Sequence, residues 1–87
     1  PMTVTVTQID HPNASTGVEV YVDDRRIGVI GRGESVSTQV PDTDQCHVRA
    51  VCGVYRKEMI VGGDADILVK WVLNPPDMAM ERRRTPA

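Results

Sequence analysis

Cys46 and His47 stand side by side, with Cys52 six positions later and His11 far upstream, and these side chains are the best equipped in the chain for nucleophilic or metal chemistry. A reactive thiolate needs a base or a positive charge beside it. Neighbouring residues of a strand point to opposite faces, so Cys46 and His47 do not meet, and the spacing to His11 assigns it no role. Structural metal sites favour ligand pairs two to four residues apart, which His11, Cys46, His47 and Cys52 do not offer. The expectation is a protein that is not an enzyme, with no catalytic residue, no metal and no cofactor.

The remaining polar motifs are weaker. Asp42/Asp44 and Asp64/Asp66 have the alternate spacing of a calcium loop, yet neither pair is followed by the glycine and distant glutamate of an EF-hand. Aspartates that hydrogen-bond their own backbone in turns account for them. Gly31-Arg32-Gly33 is too short to cradle a phosphate. Asn13-Ala14-Ser15 matches a glycosylation acceptor only by its letters. Arg82, Arg83 and Arg84 form a basic cluster that reads as a solvated tail or as a salt-sensitive arm for a polyanion; no row of exposed aromatics accompanies it for base stacking.

The elements that must position these groups are short strands. Thr3 to Ile9 alternates threonine with valine. Val18, Val20 and Val22 share one face of a second strand, with Glu19, Tyr21 and Asp23 on the other. A tight turn at Asp24 and Arg25 returns the chain as Arg26 to Ile30, an antiparallel hairpin. Glu34 to Val40 follows the Gly31-Arg32-Gly33 break, and Cys46 to about Tyr55 follows the 41–44 turn. There Cys46, Val48, Ala50, Cys52 and Val54 are expected on one face. Arg56 to Val61 and Asp66 to Leu73 complete the set, with Ile67, Val69, Trp71 and Leu73 sharing a face. About seven short strands at this spacing predict an all-β fold, a small antiparallel two-sheet sandwich. The Pro75-Pro76 pair sets the domain at residues 1–74, leaving 75–87 as a basic tail or short helix.

Composition agrees with that scaffold. The 87 residues make one domain, expected to bury roughly 60–65% of its extended surface, so a large enclosed substrate cavity is not expected. Aromatic residues are only 3% of the chain, so valine and isoleucine must fill the core, and they suit a pleated sheet. The net charge of −2 is too small to attract nucleic acid or a membrane across the whole surface. No apolar run approaches the roughly 20 residues needed to span a bilayer, and no secretory layout opens the chain, so a cytoplasmic location is expected. Pro1 ahead of Met2 reads as a cloning remnant. In one extended strand Cys46 and Cys52 would be roughly 20 Å apart, and a disulfide needs Cα atoms about 4.4–6.8 Å apart. Free thiols are therefore expected.

The hairpin from Val18 to Gly28, the Gly33-Glu34-Ser35 strand start and the Cys46-His47-Val48-Arg49-Ala50 strand together resemble the PEGA-type β-sandwich modules of bacterial proteins, over about residues 18–52. Asp24 stands where that pattern prefers glycine, and the Pro-Glu-Gly-Ala signature is absent, with Pro41-Asp42-Thr43-Asp44 in its region. The resemblance implies a bacterial accessory or binding unit without chemistry of its own.

Strand edges supply the functional expectation, because unpaired N–H and C=O groups accept a partner's strand. The first strand, with Thr3, Thr5 and Thr7 and few charges, is the expected open edge. It predicts protein interaction or self-association. The alternative is nucleic-acid or small-ligand binding through Arg82–Arg84 and an outward face carrying Tyr21, Arg49 and Tyr55.

Overall fold

The run Met2–Gln8 (β1) turns Met2, Val4, Val6 and Gln8 inward and its threonines outward, the period-two burial of a strand covered on one side. Seven further strands follow in the computed structural model, which describes residues 1–9, 11, 16–41 and 45–83: Val18–Val22 (β2), Arg25–Ile30 (β3), Ser35–Val40 (β4), Cys46–Cys52 (β5), Tyr55–Val61 (β6), Ala65–Leu73 (β7) and Pro76–Arg83 (β8). They form two four-stranded sheets, β4-β1-β7-β8 and β3-β2-β5-β6. The expected two-sheet β-sandwich is thus the fold. Asp42, Asp44, the Asn13-Ala14-Ser15 motif and Arg84 lie outside the described residues.

Two features differ from the expectation. The first sheet is mixed, because β1 pairs with β7 in parallel while every other strand pair is antiparallel. Local turn signals reveal hairpins but not a partner some sixty residues away, as Val4 is from Ala65. The second is the C-terminal segment. Residues 76–83 are neither tail nor helix but a strand paired with β7 from Leu73↔Pro76 to Asp66↔Arg83, so the folded unit runs past residue 74. Pro76 takes the first strand position, where its missing N–H costs no ladder bond. Asn74 and Pro75, joined by a cis peptide, form the turn.

The inner faces meet in one core. Val4, Val6, Ile67, Val69 and Met78 come from the first sheet, and Val18, Val20, Ile30, Val48 and Ala50 from the second, all essentially inaccessible to solvent. Leu73 and Val54, expected on core faces, are instead 61% and 93% exposed: Leu73 ends β7 beyond the cover of the opposite sheet, and Val54 occupies the two-residue turn after Cys52. Leu68 is buried on the opposite face of β7, across from Thr7 and Glu81.

Gln8 is the buried polar side chain among the described residues. Its Nε2 donates to Ile30 O (2.6 Å) and to Thr16 O (3.4 Å), and its Oε1 accepts from Trp71 Nε1 (2.9 Å). Because β1 and β3 belong to different sheets, this amide ties the two layers together at the end where Tyr55 and His11 pack edge-on against Trp71.

Candidate interaction edge

The predicted binding residues do not form one site. Tyr21 and Arg49 are cross-strand partners on the outer face of the second sheet, with the guanidinium 4.5 Å from the ring centroid. Arg49 also pairs with Asp24 at 3.7 Å, and its Nε is buried without a hydrogen-bond partner. Tyr55 lies on the other side of that sheet. It shares the inward parity of Met59 and Val61 and packs against Trp71, so it does not join Tyr21 and Arg49. Arg82 and Arg83 belong to β8. Arg82 donates to Gly62 O and Asp64 O, and Arg83 binds Asp66 at 3.1 Å. Both guanidiniums therefore hold their own sheet.

The thiols and histidines are likewise separated. Cys46 is buried, whereas His47 faces outward with Nε2 2.6 Å from Glu58 Oε2. Burial pushes the Cys46 thiol pKa up, and the charge and hydrogen bond of Asp23 push it further; burial alone raises that of Cys52. Both cysteines are free. Asp64 accepts the Thr3 N–H at 2.7 Å, a structural use of that carboxylate. Among the described residues no three His, Cys, Asp or Glu side chains are grouped to hold a metal, and no helix is long and apolar enough to cross a membrane.

The expected edge is in the interior of its sheet: β1 lies between β4 and β7. Its threonine pattern, uncharged and alternating, does not distinguish an edge from a centre. Among the described residues the edges are β4, β8, β3 and β6, and three are guarded. A bulge at Val20/Tyr21 bends β3, which opens with Arg25 and Arg26. Arg56, Lys57 and Glu58 stud β6, while β8 combines Pro76 with Asp77, Glu81, Arg82 and Arg83. Charges, prolines and bulges are the usual means of discouraging edge pairing.

Only β4 has none of these. Ser35, Val36, Ser37, Thr38, Gln39 and Val40 are uncharged, proline-free and regularly paired with β1. Gln8 N–H donates to Glu34 O at 3.1 Å, while Gln8 O accepts from Gly33 N–H and Glu34 N–H turns to Gly31 O, so the regular ladder begins at Thr7 and Ser35 as a non-bonded pair. In an antiparallel ladder bonded and non-bonded pairs alternate. Val36, Thr38 and Val40 therefore spend their backbone groups on β1, and Ser35, Ser37 and Gln39 present theirs to the open side. The Ser35 and Ser37 hydroxyls are held by Thr7 (2.6 Å) and Thr5 (2.8 Å), which ties β4 to β1 on the outer face. Beside it, between β3 and β4, runs an open groove of about 200 Å³ whose lining includes Val22, Asp23, Arg25, Ile27, Thr38 and Val40.

Sequence reasoning placed the edge on the wrong strand because edge status depends on sheet order. The absence of charge across residues 35–40 was the available signal. No family model, curated protein or solved structure matches the chain.

Proposed function

We propose that this protein is a non-enzymatic protein-interaction module that captures an extended segment along β4. The observation that carries the reading is the uncharged, regularly paired edge at Ser35, Ser37 and Gln39, where the other three edges carry charges, a proline or a bulge. Backbone pairing would supply affinity, and the groove beside β4 would receive alternate side chains of the incoming strand. The PEGA-like hairpin and strands fit an accessory unit of this kind. Free thiols with raised pKa values, Cys46 buried and Cys52 partly exposed, support a role without nucleophilic chemistry and suit a reducing, cytoplasmic setting. Polyanion binding through the arginines is the weaker reading, since Arg82 and Arg83 are committed to Gly62, Asp64 and Asp66.

A proline at residue 37 removes an outward N–H and leaves the bonded β1 pairs in place. Extended peptides selected from a display library against the native protein should bind Ser37→Pro at least about tenfold more weakly. Unchanged binding, with no chemical-shift response at the Ser35, Ser37 and Gln39 amides, would overturn the reading.

A further inference from the structure

We infer that the segment captured by β4 is β4 of a second copy, in an antiparallel two-fold register centred on Ser37; this rests on the edge reading above. The backbone pattern permits it directly. With Ser37 opposite the partner's Ser37, Ser35 opposes the partner's Gln39, and all three residues turn their N–H and C=O groups toward the open side. Each such pair exchanges two N–H···O bonds, so the two strands satisfy one another without a slip in register. An antiparallel self-pairing also brings identical strands together, and a strand without charge meets its copy with no like-charge contact.

Two charged residues outside the strand fix this occupant and register. Arg25 lines the groove beside Thr38, Gln39 and Val40, is exposed, and has no ion-pair partner among the described residues; Asp23, which also lines the groove, accepts the His47 N–H. Glu34 is exposed at the start of β4 and has the same side-chain parity as Val36 and Val40, the face turned toward the groove. In the Ser37-centred register the partner's Glu34 falls opposite Val40, beside Arg25. Its Oε1 accepts the Gly31 N–H of its own chain at 2.5 Å, which leaves the other oxygen for the guanidinium. Symmetry repeats the pair, so two Arg25–Glu34 contacts flank the axis and the partner's Val36 faces Thr38 over the groove. The first sheets of two molecules then run on as one eight-stranded sheet.

Six residues of edge cover much less than the roughly 800 Å² per partner of a standard stable interface, so the association should be weak, roughly 10 μM to 1 mM. Sedimentation equilibrium over that range should show a monomer–dimer equilibrium. Ser37→Pro should weaken it at least about tenfold, and Arg25→Glu or Glu34→Arg about threefold to tenfold each. The double swap Arg25→Glu/Glu34→Arg should restore it to within about threefold, with thermal melts confirming that each variant folds. A swap no better than its single changes would overturn the register. A wild-type protein that stays monomeric while extended peptides still bind, sensitively to Ser37→Pro, would overturn the second copy and leave the edge reading standing. A monomer that binds no peptide either would remove both.

Discussion

Gln8 shows how one side chain can join two layers. A buried amide is costly unless its donors and acceptor are met, and here Ile30 O, Thr16 O and Trp71 Nε1 meet them. Gln8→Leu keeps the volume but strands the Ile30 carbonyl and the indole N–H. It should cost about 2 kcal/mol in urea unfolding. The inward parity of Gln8 is readable from Met2, Val4 and Val6, but its partners stand 22 and 63 positions away, so its role is not. Cys46 allows a second prediction. Its thiol and that of Cys52 have raised pKa values, so the folded state keeps them neutral where the unfolded chain ionises them. Their contribution to stability is complete below the unfolded thiol pKa of about 8.5 and declines as pH rises beyond it. Urea midpoints should fall above that pH, and fall less in a Cys46→Ala/Cys52→Ala variant. Native Cys46 should be alkylated much more slowly than the partly exposed Cys52.

Among the elements, the β2–β3 hairpin depends on two consecutive residues with positive φ, Asp23 at 50° and Asp24 at 65°. That is the backbone of a type I′ turn, which favours glycine at its second position. Asp23 also locks the hairpin tip to β5, since its N–H donates to His47 O and its Oδ1 accepts from His47 N. Asp24→Gly should therefore raise stability by about 0.5–1 kcal/mol in spite of losing the exposed pair with Arg49, whereas Asp23→Gly should not. The turn itself was legible one residue off, because both Asp-Asp and Asp-Arg fit the sequence. β8 was less legible. Its alternation of Asp77, Met78, Ala79, Met80 and Glu81 is a strand pattern, but Pro75-Pro76 and the arginines mimic the end of a domain. Truncation after Asn74 should not leave a folded domain, since it removes the buried Met78 and opens the whole of β7; loss of the thermal transition by circular dichroism would show this.

For the molecule as a whole, the alternating valines predicted the class of fold, two layers and most strand positions, because period two is a local signal. Sheet order is not local. The strand at residues 35–40 is recognisable from sequence as uncharged, but it is an edge because β1 lies between β4 and β7. The outward cluster of Tyr21 and Arg49 was half legible for the same reason: their strands were right, while Tyr55 changed faces across the Gly53-Val54 turn.

The parallel pairing of β1 with β7 sets an order on biosynthesis. All four strands of the second sheet lie between residues 18 and 61, interrupted there by β4 of the first sheet, so it can close on itself as soon as that stretch has left the ribosome. β1 is made first but acquires its second neighbour only when residues 65–73 emerge. Until then one flank of the Thr-Val strand is bare, and the nascent chain carries a sticky edge that the finished protein conceals.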